Sequence, residues 1–264
     1  MANARVQPSN LAPRLLTSLR MQAIEYRRRA MLLLLVIALP VALWAATYYS
    51  TGSDLVPVKV PERTRTVELA VPLRETFPVD IGFMGVAWSV AAASFFSVTG
   101  SLERDRRLVL CGYGPWQILL ARLGLLACVS VVLAFAATLI FAVLIFSLHP
   151  ELTWLAAFLA GLIAAGTGMF LGTLLPRPTE GMLIIIGLFG IGMSLGEEAS
   201  RYFFMYPAQQ LLRAGRFARD PWPVPHIWQG LLIAAVFVGL ALILWSWRTR
   251  VFRPNLGQCR LKGG

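Results

Sequence analysis

Six apolar blocks decide what this chain can become. They fall near residues 30–49, 78–100, 118–148, 152–175, 181–196 and 227–247, and together they occupy about half of the 264 residues. A helix of about 20 residues rises about 30 Å, which matches the hydrocarbon core of a bilayer. Runs of this length, almost free of charge, have no place in water. Only 14% of the residues are charged and mean hydropathy is +0.67, where a soluble domain carries roughly a quarter charged residues. The loops between the blocks are too short for a second soluble domain, so residues 1–264 read as one all-α, polytopic membrane domain of six spans.

The net charge of +11 is concentrated at the ends of the apolar blocks, as in Arg27-Arg28-Arg29 before the first and Arg248 and Arg250 after the last. That placement fits contact with anionic lipid headgroups, and no basic stretch is long enough to form a nucleic-acid groove. With both termini on one side of six spans, that side carries 16 of the 24 Lys and Arg residues and the other side 8. The positive-inside rule then puts both termini in the cytoplasm of a cell whose inner or plasma membrane holds the chain. Cys111, Cys128 and Cys259 are far apart and odd in number, which suits free thiols rather than a disulfide framework or a metal site. No cleavable signal peptide is visible in the first 30 residues, where arginines recur throughout.

Between the blocks, four segments carry information. Residues 8–28 place Leu11, Ala12, Leu15, Leu16, Leu19 and Ala23 on one helical face, with Arg14 and Arg28 opposite, the pattern of a helix lying in the membrane surface. Residues 50–77 hold two alternating runs, Val56-Val58-Val60 and Val67-Leu69-Val71-Leu73, which predict a small extracytoplasmic hairpin. Residues 101–115 mix both charge signs in Glu103-Arg104-Asp105-Arg106-Arg107, follow with apolar Leu108, Val109 and Leu110, and break at Gly112, Gly114 and Pro115. The fifth block has 16 residues, about 24 Å of helix, and precedes a semi-apolar stretch, 197–228, with Tyr202 to Leu212 at its heart. A segment of that kind is expected to re-enter the outer leaflet, packed against protein.

Catalytic chemistry is hard to find. There is no G-x-x-x-x-G-K-[ST] loop to cradle ATP. Gly192-Met193-Ser194-Leu195-Gly196 matches G-x-S-x-G, but that motif needs a strand-to-helix turn and a nearby histidine, and here it ends a membrane block. Gly168-x-x-x-Gly172 and Gly192-x-x-x-Gly196 fit close helix contact instead. Asp80 and Arg122 lie near the ends of their spans, within reach of the interface. Phe83, Met84, Trp88, Phe95 and Phe96 recur along the second span, as packed or lipid-facing bulk or as a greasy wall for an amphipathic substrate.

The order of these elements resembles the type-two permeases of ABC exporters, with their ABCG-like (type V) transmembrane fold. The resemblance rests on the interfacial helix, on the short fifth span with its semi-apolar sequel, and on the stretch from Glu103 to Pro115. That stretch is similar to the family's E-R-x-x-x-[T]-x-x-x-L-x-x-x-P pattern, with Arg106-Arg107-Leu108 where glycine and threonine are usual. It implies that Glu103, Arg104, Asp105, Arg106, Arg107 and Leu108 form a coupling helix gripped by a cytoplasmic ABC ATPase. It also implies a pair of permeases, alike or different, that export an amphipathic substrate such as a drug, peptide antibiotic, lipid or glycolipid. ATP and Mg would bind the partner ATPase, and this chain would need no cofactor of its own. A secondary carrier and a non-transporting scaffold or regulatory protein are the alternatives.

Overall fold

The computed structural model describes residues 11–28, 30–63, 66–110, 114–144, 147–175, 177–194 and 197–250. The protein is mostly helical, and among the described residues four helices are long and apolar enough to cross a membrane. These are α3 (Leu73–Thr99), α5 (Pro115–Leu144), α6 (Pro150–Leu174) and α10 (Val224–Arg250). Two further apolar helices are α2 (Ala30–Ser50) and the shorter α7 (Pro178–Ser194). The chain is therefore an all-α multi-pass membrane protein with one small two-stranded sheet. α5, α6 and α7 each start on a proline, where the missing N–H is no loss because the first-turn donors of a helix have no partner within it.

α6 is the hub, with α3, α5 and α10 packed around it. Its small residues let three neighbours close in on three sides. A Cβ at Gly161 would lie 2.6 Å from Ser130 Oγ of α5, and one at Gly166 would lie 3.2 Å from the Ala234 carbonyl oxygen of α10. On the third side, a Cβ at Gly168 would run into the Ala91 carbonyl oxygen of α3, and one at Gly172 would sit 3.0 Å from Val98 Cβ. The small-residue spacing at 168 and 172 thus joins α6 to α3, a pairing that the spacing alone does not specify. Ser94 Oγ adds a hydrogen bond of 2.7 Å to the Ala165 carbonyl across the same contact.

At one end of the bundle, β1 (Leu55–Pro61) and β2 (Thr66–Pro72) pair antiparallel, Leu55 opposite Pro72 and Pro61 opposite Thr66. The alternating valines do form the expected hairpin, with Val60 and Val71 buried. α3 begins at Leu73, five residues before the predicted start at Pro78. The Leu73 N–H still closes the hairpin by donating to Asp54 O at 2.7 Å, while Glu75 supplies the negative charge a first helical turn favours. Beside the hairpin, α8 (Glu197–Ser200) leads through turns to α9 (Tyr206–Phe217). α9 buries Ala208, Leu211, Leu212 and Ala214 against the bundle, and its end is tied to the α6 N-terminus by His149 N–H donating to Gly215 O at 2.7 Å. Within residues 197–228, α9 is thus packed onto the bundle, while Tyr202 and Trp228 are exposed.

α1 (Leu11–Arg28) lies against α5. Gln22 Nε2 donates to Ile118 O at 3.2 Å, and Leu19 Cδ1 lies 3.4 Å from where a Cβ on Gly124 would stand. Leu16, Met21 and Ile24 remain exposed, an apolar strip suited to lipid.

Candidate functional site

The residues from Ser101 to Arg122 build a compact polar joint. α3 stops at Thr99, Gly100 and Ser101 turn the chain, and α4 (Leu102–Leu110) runs as a separate short helix. α5 then starts afresh at Pro115. Its first turn is fastened in the manner of a capping box, with the Gly114 N–H donating to Gln117 Oε1 at 3.2 Å. Of the break marked in the sequence, Gly114 and Pro115 are described and open α5 as a new helix, apart from α4; Gly112 lies outside the described residues.

α4 is locked to α5 by a buried ion pair. Arg122 Nη2 meets Asp105 Oδ2 at 2.6 Å, with Asp105 3% exposed and Arg122 5%. Arg122 also donates to Ser101 Oγ, and that hydroxyl lies 2.6 Å from Ser97 O and 3.3 Å from Asp105 Oδ2. One guanidinium thus fastens together the end of α3, the start of α4 and the first turns of α5. Burial pushes the Asp105 carboxyl above its usual range, and the Arg122 charge and the Ser101 hydrogen bond oppose the shift. Arg122 stays charged at any accessible pH, so the carboxylate is its necessary counter-ion.

The expected docking residues do not share one face of α4. Asp105 faces α5 and has no surface to offer a partner; it holds the helix instead of presenting it. Leu108 and Val109, three and four residues on, share its side and are half-buried. Arg107 is exposed on the opposite side, and Arg104 is exposed on the flank. Glu103 and Arg106 belong to α4, but their side chains lie outside the described residues. Arg122, read from the sequence as a span-end charge, is the residue that sequence reasoning missed. Its signal was weak, a single arginine 17 positions from its partner across a glycine-proline break.

The aromatic row on α3 divides. Phe83, Met84 and Phe95 are 1% exposed or less and pack in the core of the bundle; Phe95 also covers Gly181 of α7. Trp88 and Phe96 are half-buried and keep some surface. Gly192 is covered by Phe203, so at this glycine the G-x-S-x-G run serves packing; Leu195 and Gly196 lie outside the described residues.

No protein-family model matches the chain, and a search of curated proteins finds no match.

Proposed function

We propose that the chain is the membrane subunit of an ATP-driven exporter, with α4 as the contact for a separate cytoplasmic ABC ATPase that carries ATP and Mg. In this reading α2 and α7 join the four longer helices to give six spans, both termini are cytoplasmic, and a second permease completes the path for an amphipathic substrate. α1 lies in the cytoplasmic face of the cell membrane, while the hairpin and residues 197–228 lie on the outer side, the latter dipping into the outer leaflet.

The observation that carries the proposal is the joint at α4. A solvated loop needs no buried ion pair beneath it, because desolvating two charges is expensive and is repaid only by close geometry. An element that must pass force from a partner into a span does need one. A push on the Arg104–Arg107 side of α4 is delivered through Asp105 and Arg122 to α5 and, through Gln22 and Leu19, is shared with α1. The 16-to-8 division of basic residues supports the orientation.

The test is purification of the tagged full-length protein from its native membrane in mild detergent. A stoichiometric cytoplasmic protein that hydrolyses ATP is the expected companion. Reproducible purification of the chain without an ATPase would favour a secondary carrier or a scaffold.

A further inference from the structure

A cleft of about 390 Å³ opens at the hairpin end of the bundle, between β1, β2, the first turns of α3 and α9. Its size falls in the range of small-ligand sites. Val56, Val58, Leu73, Phe77, Leu212 and Phe217 give apolar walls, and Lys59, Arg213, Arg216, Glu68 and Asp80 bring charge. The charges are not equivalent. Lys59 and Glu68 pair at the exposed rim at 3.6 Å. Arg216 is 3% exposed and fixed, its Nη2 donating to Glu75 O at 2.6 Å and its guanidinium lying 4.5 Å from the Phe217 ring centre. Asp80 and Arg213 differ from both. Asp80 feels the charge of Arg213 and Arg216, yet neither the Asp80 nor the Arg213 side chain makes a hydrogen bond or ion pair among the described residues.

We infer that this cleft binds a zwitterionic phospholipid headgroup, with the phosphate on Arg213 and the ammonium on Asp80. A carboxylate and a guanidinium held near one another but short of contact suit a ligand carrying both signs. A purely anionic group would meet Asp80 and Glu68, and a purely cationic one would meet Arg213 and Arg216. The acyl chains have a place as well. α3, one of the four helices able to span the membrane, starts at the cleft, and Phe77 is 44% exposed there, an aromatic placed where polar and apolar layers meet. The inference does not rest on the exporter reading, since binding is measured with no ATPase present.

The experiment uses the full-length protein in detergent with added phosphatidylethanolamine or phosphatidylglycerol of identical acyl chains, and reads the thermal midpoint and the lipid retained by mass spectrometry. Phosphatidylethanolamine is expected to raise the midpoint and to be retained in preference to phosphatidylglycerol. Arg213→Gln should abolish the shift, Arg213→Lys should keep part of it, and Asp80→Asn should remove the preference between the two lipids. The midpoint in detergent alone reports folding, so Arg213→Lys and Asp80→Asn decide the matter if Arg213→Gln is unstable. O-phosphoethanolamine, which lacks chains, should give no shift; a shift equal to that of the lipid would support the same headgroup chemistry from a soluble source. Equal response to both lipids in the wild type, or an unchanged lipid response in both Arg213→Gln and Asp80→Asn, would overturn the inference.

Discussion

The two ends of the helix bundle use the same residue types in opposite ways. At the α4 end, Asp105 and Arg122 are buried and meet at 2.6 Å. At the hairpin end, Asp80 and Arg213 line a cleft without touching a partner. The contrast follows from what surrounds each pair. α4 is nine residues long, too short to hold its place without tertiary contacts, and its own carboxylate supplies the anchor. α9 is already held by Leu211, Leu212 and Ala214 in the core and by Arg216 to Glu75 O, so Asp80 and Arg213 are not needed to fix it. Closed charges make a joint, and open charges make a site.

The largest difference is expected when the same substitution is made at both ends of the bundle. Asp105→Asn strands a buried guanidinium and should destabilise the protein by about 3–5 kcal/mol, read as a large drop in thermal midpoint in detergent. Asp80→Asn removes no direct contact and should change stability by less than about 1 kcal/mol. Comparable losses at both positions would erase the distinction. Arg122→Met sharpens it further, because a carboxyl can take up a proton where an arginine cannot lose one. Asp105, already pushed above its usual range by burial, would then lose the opposing Arg122 charge. A carboxyl whose folded pKa is raised favours the folded state most at low pH, and that favour fades as pH rises through the raised pKa. The Arg122→Met protein should therefore gain stability relative to wild type as pH falls from neutral, and the double variant with Asp105→Asn should recover part of the loss of Asp105→Asn alone.

A smaller effect is expected from the helix contact that carries both ends. In Gly168→Ala the new methyl meets the Ala91 carbonyl oxygen and stands 2.8 Å from Ser94 Cβ, so α3 and α6 must separate at a cost of about 1–3 kcal/mol. Smaller still, Lys59→Ala removes an exposed pair of 3.6 Å at the rim of the cleft and should cost no more than about 1 kcal/mol. A loss there as large as that for Gly168→Ala would mean the hairpin braces the bundle and is more than the wall of a cleft.

The sequence discloses the helices and the hairpin because each rests on a local signal: apolar length for α3, α5, α6 and α10, and alternation at Val56, Val58 and Val60 for β1. Prolines 115, 150 and 178 even mark helix starts. What it withholds is pairing across distance. Asp105 reads as one of five mixed charges, Arg122 as a span-end arginine, and Asp80 and Arg213 as unrelated residues on different segments. Only the folded chain turns Asp105 inward, away from the docking role expected of it, and brings α9 to the first turns of α3. The row from Phe83 to Phe96 shows the same limit, since bulk in a membrane helix looks alike whether it lines a path or fills a core.

The coupling role of α4 is tested most directly by how much ATPase accompanies the protein when only the exposed side of α4 is changed. Arg104→Glu and, separately, Arg107→Glu should leave membrane insertion and the detergent midpoint near wild type. Loss of charge contacts at an interface costs roughly 2–5 kcal/mol, so co-purifying ATPase should fall at least about tenfold, while Lys59→Glu at the opposite end leaves it unchanged. Wild-type levels of ATPase with both α4 variants would contradict the coupling assignment.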